Sequence, residues 1–222
     1  MKLIVKFSSL FTSLIAIFLV ASLENPYYGN IGLPTYNISW IPWEKQVFDH
    51  SIKGPQKNES IYEKNLENQI TQLVSGYKTG LKKENLESLS QQIIHESKKY
   101  GYDPLFLAAV IITESSFYNW ARSNKGALGL MQIIPATGKE LASEAQLKWE
   151  GNPTLFNPET NITLGAYYLN KLILRFDDLS LALEAYNYGP SRLTRYLKKG
   201  FRPKTYSQKV FHNYSWLKSP SI

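Results

Sequence analysis

Residues 104–113, PLFLAAVIIT, constrain the fold of this 222-residue chain more than any other stretch. Asp103 and Pro104 give an N-cap followed by proline at the first helical position. The pattern predicts a helix from Leu105 to about Glu114. A helix with almost no polar face is normally buried. A carboxylate at its end is then either lost stability or a tool. Poor solvation and the negative end of the helix dipole both disfavour the charged form, so the carboxyl pKa should rise. A glutamate that keeps its proton near neutral pH is what general-acid cleavage of a glycosidic bond requires. The bland alternatives are a Glu114 that points to water or pairs with an arginine.

From residue 84 onward the sequence reads as helix after helix. In ENLESLSQQIIHESKKYG, Leu86, Leu89, Ile93 and Ile94 fall near one face, and Gly101 closes the helix. Further helices are expected from Pro135, from Asn157 and Pro158, through DLSLALEAYNYG to Gly189, and in two proline-opened segments, PSRLTRYLKKG and PKTYSQKVFHNYSWLK. No convincing alternating strand appears in this half. The expectation is a mainly α, compact helical domain over residues 84–217, with a short tail at 218–222. Residues 24–83 read as an N-terminal extension. It is irregular and rich in Pro, Gly, Asn and aromatics at first. Residues 58–79 are helix-compatible, with Ile61, Leu66, Ile70, Leu73 and Val74 loosely at helical spacing.

Lys2 and Lys6 precede an uncharged run from Phe7 to Leu23 with small residues at Ala21 and Ser22. This segment, residues 1–23, reads as a secretory signal. Its length also leaves an uncleaved membrane anchor open. Either way the rest of the chain is expected outside the cytoplasm, in the periplasm or cell envelope.

The chain has no cysteine, so disulfides, thiol nucleophiles and lipid-anchored cysteines are excluded. His50, His95 and His212 are far apart, and HESKK at residues 95–99 is not a zincin motif. No metal or organic cofactor is expected. The formal net charge is +7, and residues 190–222 hold eight Lys or Arg and no acid. Such a surface suits a polyanion. No nucleic-acid motif accompanies it, so nucleic acid is not the expected partner; a solvated basic face is the bland reading. Fifteen tyrosines and five tryptophans suit either flat sugar rings or core packing.

After Glu114 comes SNKGALGLMQIIP, which sets Gly126 and Gly129 around a short turn. Small residues there allow close backbone approach to a ligand. Gln132 offers donor and acceptor together, and Met131 an adaptable apolar surface. Each alone is weak, since glycines mark turns and methionines fill cores. Taken in order, Glu114-Ser115, then Ser123 and GLMQ at 129–132, then AYN at 185–187 with Gly189 and Pro190, resemble the catalytic domain of soluble lytic transglycosylases. Tyr206, Lys209 and Val210 match a later element of the same pattern. This lysozyme-like family cuts the glycan strands of bacterial peptidoglycan, and the resemblance covers residues 84 to about 217. Residues 24–83 match no family motif.

The resemblance implies a lysozyme-like fold related to goose-type lysozyme. Glu114 would act as the single catalytic acid and then base. Ser115 would fix its surroundings. Ser123, Gly129, Met131 and Gln132 would line the sugar groove. Tyr186 would hydrogen-bond near the glutamate and help set its protonation, with Asn187 holding that wall. Tyr206 would sit across the cleft. Asn187 as a satisfier of helix-end backbone groups and Tyr206 as packing remain the plain readings. Peptidoglycan glycan strands would be the partner, with membrane association possible through the N-terminal segment. Two competing readings stand beside it. One is a hydrolytic lysozyme, needing a second carboxylate such as Asp177, Asp178, Glu144 or Glu150. The other is a non-enzymatic wall-binding or secretion-associated protein. The Asn-x-Ser/Thr patterns at Asn58 and Asn161 read as coincidental.

Overall fold

The computed structural model describes residues 56–219. The expected targeting segment and the turn-rich stretch that follows it to residue 55 lie outside the described residues. Among the described residues there are eight α-helices, one 3-10 helix and isolated β-bridges only. None of these helices is long and apolar enough to cross a membrane.

Helix α1 (Gln56–Ser75) buries Leu66, Ile70 and Val74 at four-residue spacing, while Ile61 is 58% exposed. It packs on α2 (Asn85–Tyr100), whose Leu86, Leu89, Ile93 and Ile94 face inward. The Thr71 hydroxyl donates to Ser90 Oγ across that seam at 2.9 Å. Further on, the Asn119 amide donates to the Thr79 carbonyl at 2.9 Å, and Trp120 Nε1 to the Gly80 carbonyl at 3.1 Å. Residues 56–80, expected as part of an N-terminal extension, are thus stitched to the helices that follow.

Gly101 ends α2 at φ 72°, with Tyr102 N–H donating to the Ser97 carbonyl at 2.8 Å. A left-handed residue at this point is readily supplied by glycine. Two residues later Asp103 Oδ1 accepts from the Leu105 amide at 2.8 Å and opens α3 (Pro104–Ser115). Every residue from Leu105 to Ile111 is buried, as the apolar sequence demands. A buried Leu, Phe or Ile side chain contributes about 1.5–3 kcal/mol. That run offsets the cost of withdrawing one carboxyl at its end. The helix stops where Ser116 and Phe117 turn left-handed, at φ 50° and 59°.

After a looped segment come α4 (Pro135–Glu144), the 3-10 helix Asn152–Phe156, α5 (Pro158–Phe176), α6 (Leu179–Tyr188), α7 (Pro190–Lys198) and α8 (Thr205–Leu217). Asn157 and Asp178 cap α5 and α6 through their side chains, at 2.8 Å to Thr160 N and 2.9 Å to Leu181 N. Pro203, expected to open the last helix, instead lies just outside it. Lys204 is the N-cap residue and offers no side-chain acceptor. Helix α8 packs on α3 and α6, and α5 packs on α2 and α6. Asp103 Oδ2 accepts from the Tyr214 hydroxyl at 2.8 Å and from Lys218 Nζ at 3.0 Å. The start of α3 is therefore tied to the end of α8.

Candidate active site

Glu114 is the penultimate residue of α3 and is half-buried. The Tyr206 hydroxyl, from α8, donates to its Oε1. Burial pushes the Glu114 carboxyl up to about 7, against a smaller lowering by the Tyr206 hydrogen bond. Burial dominates because a carboxylate loses more solvation than one phenol returns. Tyr206 and Tyr186 are themselves pushed well above the ordinary phenol range, by burial first and then by the Glu114 charge. Both are therefore neutral donors at physiological pH.

The direct partner of Glu114 is thus Tyr206, not Tyr186. The Tyr186 hydroxyl donates to the Met131 carbonyl at 2.8 Å, and its ring lies 5.3 Å from that of Tyr168. It acts on Glu114 only as a neighbour. Sequence spacing does not rank the two tyrosines, because it is the packing of α8 on α3 that sets Tyr206 against Glu114.

The segment carrying GLMQ is shaped by residues outside it. Leu128 bridges to both Arg122 and Ile133. Asn161, at the start of α5, is wholly buried and holds three backbone groups. Its Oδ1 accepts from Met131 N at 2.7 Å, and its Nδ2 donates to the carbonyls of Leu128 at 3.1 Å and Leu155 at 2.8 Å. In the sequence Asn161 stands out only as a chance sequon. Its position four residues past an N-cap gives no signal of this role.

Several expected substrate contacts are placed differently. Met131 is fully buried, against Gly165 of α5, where an added Cβ would lie 2.4 Å from its sulfur. It is a core residue whose main chain, not its side chain, serves the site. Gly129 has φ 79°, and an added Cβ would fall 2.2 Å from the Leu155 carbonyl and 2.4 Å from Asn161 Nδ2. Its smallness admits the protein's own backbone rather than a ligand. The Asn187 side chain is exposed and makes no hydrogen bond among the described residues, and Gly189 N–H closes α6 on the Ala185 carbonyl at 2.8 Å. It therefore holds no wall here.

Gln132 is half-buried at φ 48°, and its Nε2 donates to the Gly129 carbonyl at 2.8 Å and the Ala121 carbonyl at 3.3 Å. Both amide protons are used, which leaves its oxygen as the group to offer. Ser123 is exposed and organises the preceding turn, accepting from Lys125 N at 3.2 Å and Ala127 N at 3.0 Å. Ser115 is half-buried and back-bonds to the Ile111 carbonyl at 3.3 Å.

Three of the four other acids weighed as a second carboxylate are engaged elsewhere. Glu144 pairs with Lys171 at 2.6 Å and with Tyr167, and Glu150 pairs with Lys148 at 2.5 Å. Asp178 caps α6, and Asp177 is the exposed left-handed residue that ends α5. No group of three or more His, Asp or Glu suited to a metal ion occurs among the described residues.

The site thus sets a carboxyl of raised pKa at the end of a buried helix, with a phenol donating to it. Residues 91–209 match the model of the transglycosylase SLT domain, and the chain belongs to that family. A transglycosylase of Enterobacteria phage PRD1 is 36% identical over 121 residues, covering 54% of this chain and 41% of the phage protein. A putative soluble lytic murein transglycosylase of Haemophilus influenzae is 37% identical over 95 residues, 42% of this chain and 16% of that one. Among solved structures, an inactive mutant of the lytic transglycosylase Slt from Pseudomonas aeruginosa superposes with a TM-score of 0.52 at 30% identity. That match covers 57% of this chain and 23% of the other. The chain thus spans about two fifths or less of these relatives.

Proposed function

We propose that this chain is a peptidoglycan lytic transglycosylase, acting in the cell envelope. It cleaves the β-1,4 bond between N-acetylmuramic acid and N-acetylglucosamine and leaves a 1,6-anhydro end. The observation that carries the reading is the Glu114 carboxyl, held protonated up to about pH 7 by burial, with Tyr206 donating to it. Membership of the SLT family and relatives named lytic murein transglycosylases support the substrate.

The reaction follows from one carboxyl. Protonated Glu114 gives its proton to the bridging oxygen, and the bond from that oxygen to the muramic C1 breaks. The muramic N-acetyl oxygen stabilises the positive C1. Glu114, now a carboxylate, is stabilised by the Tyr206 hydroxyl. It then takes the proton of the sugar's own 6-hydroxyl as that oxygen bonds to C1. Glu114 ends protonated and no water is consumed. A glycosidase of the ordinary kind uses two carboxylates. Here the internal nucleophile replaces the second, with the rate advantage of an intramolecular attack. The engagement of Glu144, Glu150 and Asp178 with other groups favours this over hydrolysis.

The test is mass spectrometry of fragments released from purified peptidoglycan. Products one water lighter than hydrolytic ones, carrying anhydro-muramic ends, support the reading; reducing ends would replace it with a lysozyme. Glu114→Gln should lower release by at least about a hundredfold while leaving adsorption to the polymer intact. Undiminished release would remove Glu114 from its role.

A further inference from the structure

A second glutamate lies deeper than Glu114 and takes no part in the reaction above. Glu184, on α6, is wholly buried. Its Oε1 accepts from the Ser207 backbone amide at 2.8 Å, and Ser207 Oγ lies 3.0 Å from it. Its Oε2 has no hydrogen-bond partner among the described residues. A fully buried acid with one oxygen unused is a costly residue to keep for packing.

Its placement supplies a reason. The first amides of a helix have no partner within the helix. Helix α8 begins after Lys204, which has no side-chain acceptor to offer them. Glu184 reaches over from the neighbouring helix and caps α8 in its place, with the helix dipole favouring a carboxyl there. The capped residue is Ser207. The residue before it is Tyr206, whose hydroxyl donates to Glu114.

We propose that Glu184 is a positioning residue: by capping α8 at Ser207 it sets the Tyr206 hydroxyl against Glu114. The proposal extends the reading of Glu114 as the reactive group, but its geometry stands without any assumption about substrate. The titratable groups around the pair are Tyr206 from α8, which faces both glutamates, and Tyr186 from α6, which faces Glu114. Their burial keeps both phenols neutral, so neither titrates in the range of interest. If the cap is removed, the first turn of α8 loosens and the Tyr206 donor leaves Glu114. The lowering that this hydrogen bond exerts on Glu114 is then lost.

The experiment is a carbon-13 NMR titration of the Glu114 side-chain carboxyl in the full chain, with no substrate present. Glu184→Ala should move the Glu114 midpoint upward by about one pH unit. Tyr206→Phe should move it equally, and the double variant no further, because both remove one hydrogen bond. Glu184→Gln keeps the accepting oxygen and should leave the midpoint where it is in the unaltered chain. If Glu184→Ala does not fold, Glu184→Asp, which withdraws the carboxyl by one methylene, carries the same expectation. An unmoved midpoint in folded Glu184→Ala or Glu184→Asp overturns the proposal. So does a downward move, the sign expected if Glu184 acts only as a negative charge through space. A failure to release anhydro-muramic products would overturn the proposed function and leave this titration unaffected.

Discussion

The Tyr206 hydroxyl donates to Glu114 Oε1 across 92 positions of sequence, joining the start of one helix to the end of another. In the proposed reaction protonated Glu114 is the general acid, and after proton transfer the same phenol stabilises its carboxylate. Cleavage should therefore fall as pH rises through about 7, where Glu114 loses its proton. Since the Tyr206 hydrogen bond lowers the Glu114 pKa, Tyr206→Phe should move that descending limb to higher pH. The maximal rate should drop about 10- to 100-fold through loss of a hydrogen bond to a charged group. Rates of muropeptide release between pH 5 and 9 check both.

Glu114 also sets a pH dependence of stability. Its carboxyl is raised from an ordinary 4.5 to about 7 in the folded chain. The folded state thus holds the proton more tightly than the unfolded state. Its stabilising effect is complete below about 4.5 and is lost as pH rises to about 7. Glu114→Gln removes that penalty. It should match the unaltered chain at pH 4 and exceed it at pH 8, by on the order of 1–3 kcal/mol before solvent screening. Urea denaturation at the two pH values measures the difference.

Asn161 holds Met131, Leu128 and Leu155 by three hydrogen bonds in a site without water access. Asn161→Ala leaves the Met131 N–H and the Leu155 carbonyl without these partners, while the Leu128 carbonyl keeps its bond from the Ile133 N–H at 3.0 Å. The loss should be at least about 2 kcal/mol, at about 1–3 kcal/mol for each of the two groups. Chemical denaturation of the variant tests the figure. Substituting exposed Asn187 with Ala should change stability by less than about 0.5 kcal/mol.

Gly126 and Gly129 share φ 79° but not surroundings. An alanine at 126 meets nothing within 4 Å, so its cost is backbone strain alone, about 1–2 kcal/mol. At 129 the same methyl collides with the Leu155 carbonyl and Asn161. Neither can retreat without breaking the Asn161 hydrogen bonds. Gly129→Ala should therefore cost more than about 4 kcal/mol, or prevent folding. Thermal melts of the two variants side by side separate strain from collision.

The helical frame was legible because its signals are local. Asp103-Pro104, Asn157-Pro158 and Gly101 act on backbone groups within a few residues, and the apolar run from Leu105 to Ile111 leaves no choice but burial. The ordered motifs around Glu114, GLMQ and AYN were legible for the same reason. Pro203 misled by two residues, since a proline before a helix and a proline in its first turn look alike in sequence.

By itself, the sequence determined a mainly α chain and one carboxyl at the end of an apolar helix. Which tyrosine meets that carboxyl, that Met131 and Gly129 serve the protein's own packing, and that Asn161 and Glu184 hold the site together were decided only by the tertiary structure. Those relationships join residues 23 to 92 positions apart. They depend on how helices pack, and a buried Asn or Glu that bonds a distant backbone has the same letter as one that faces water.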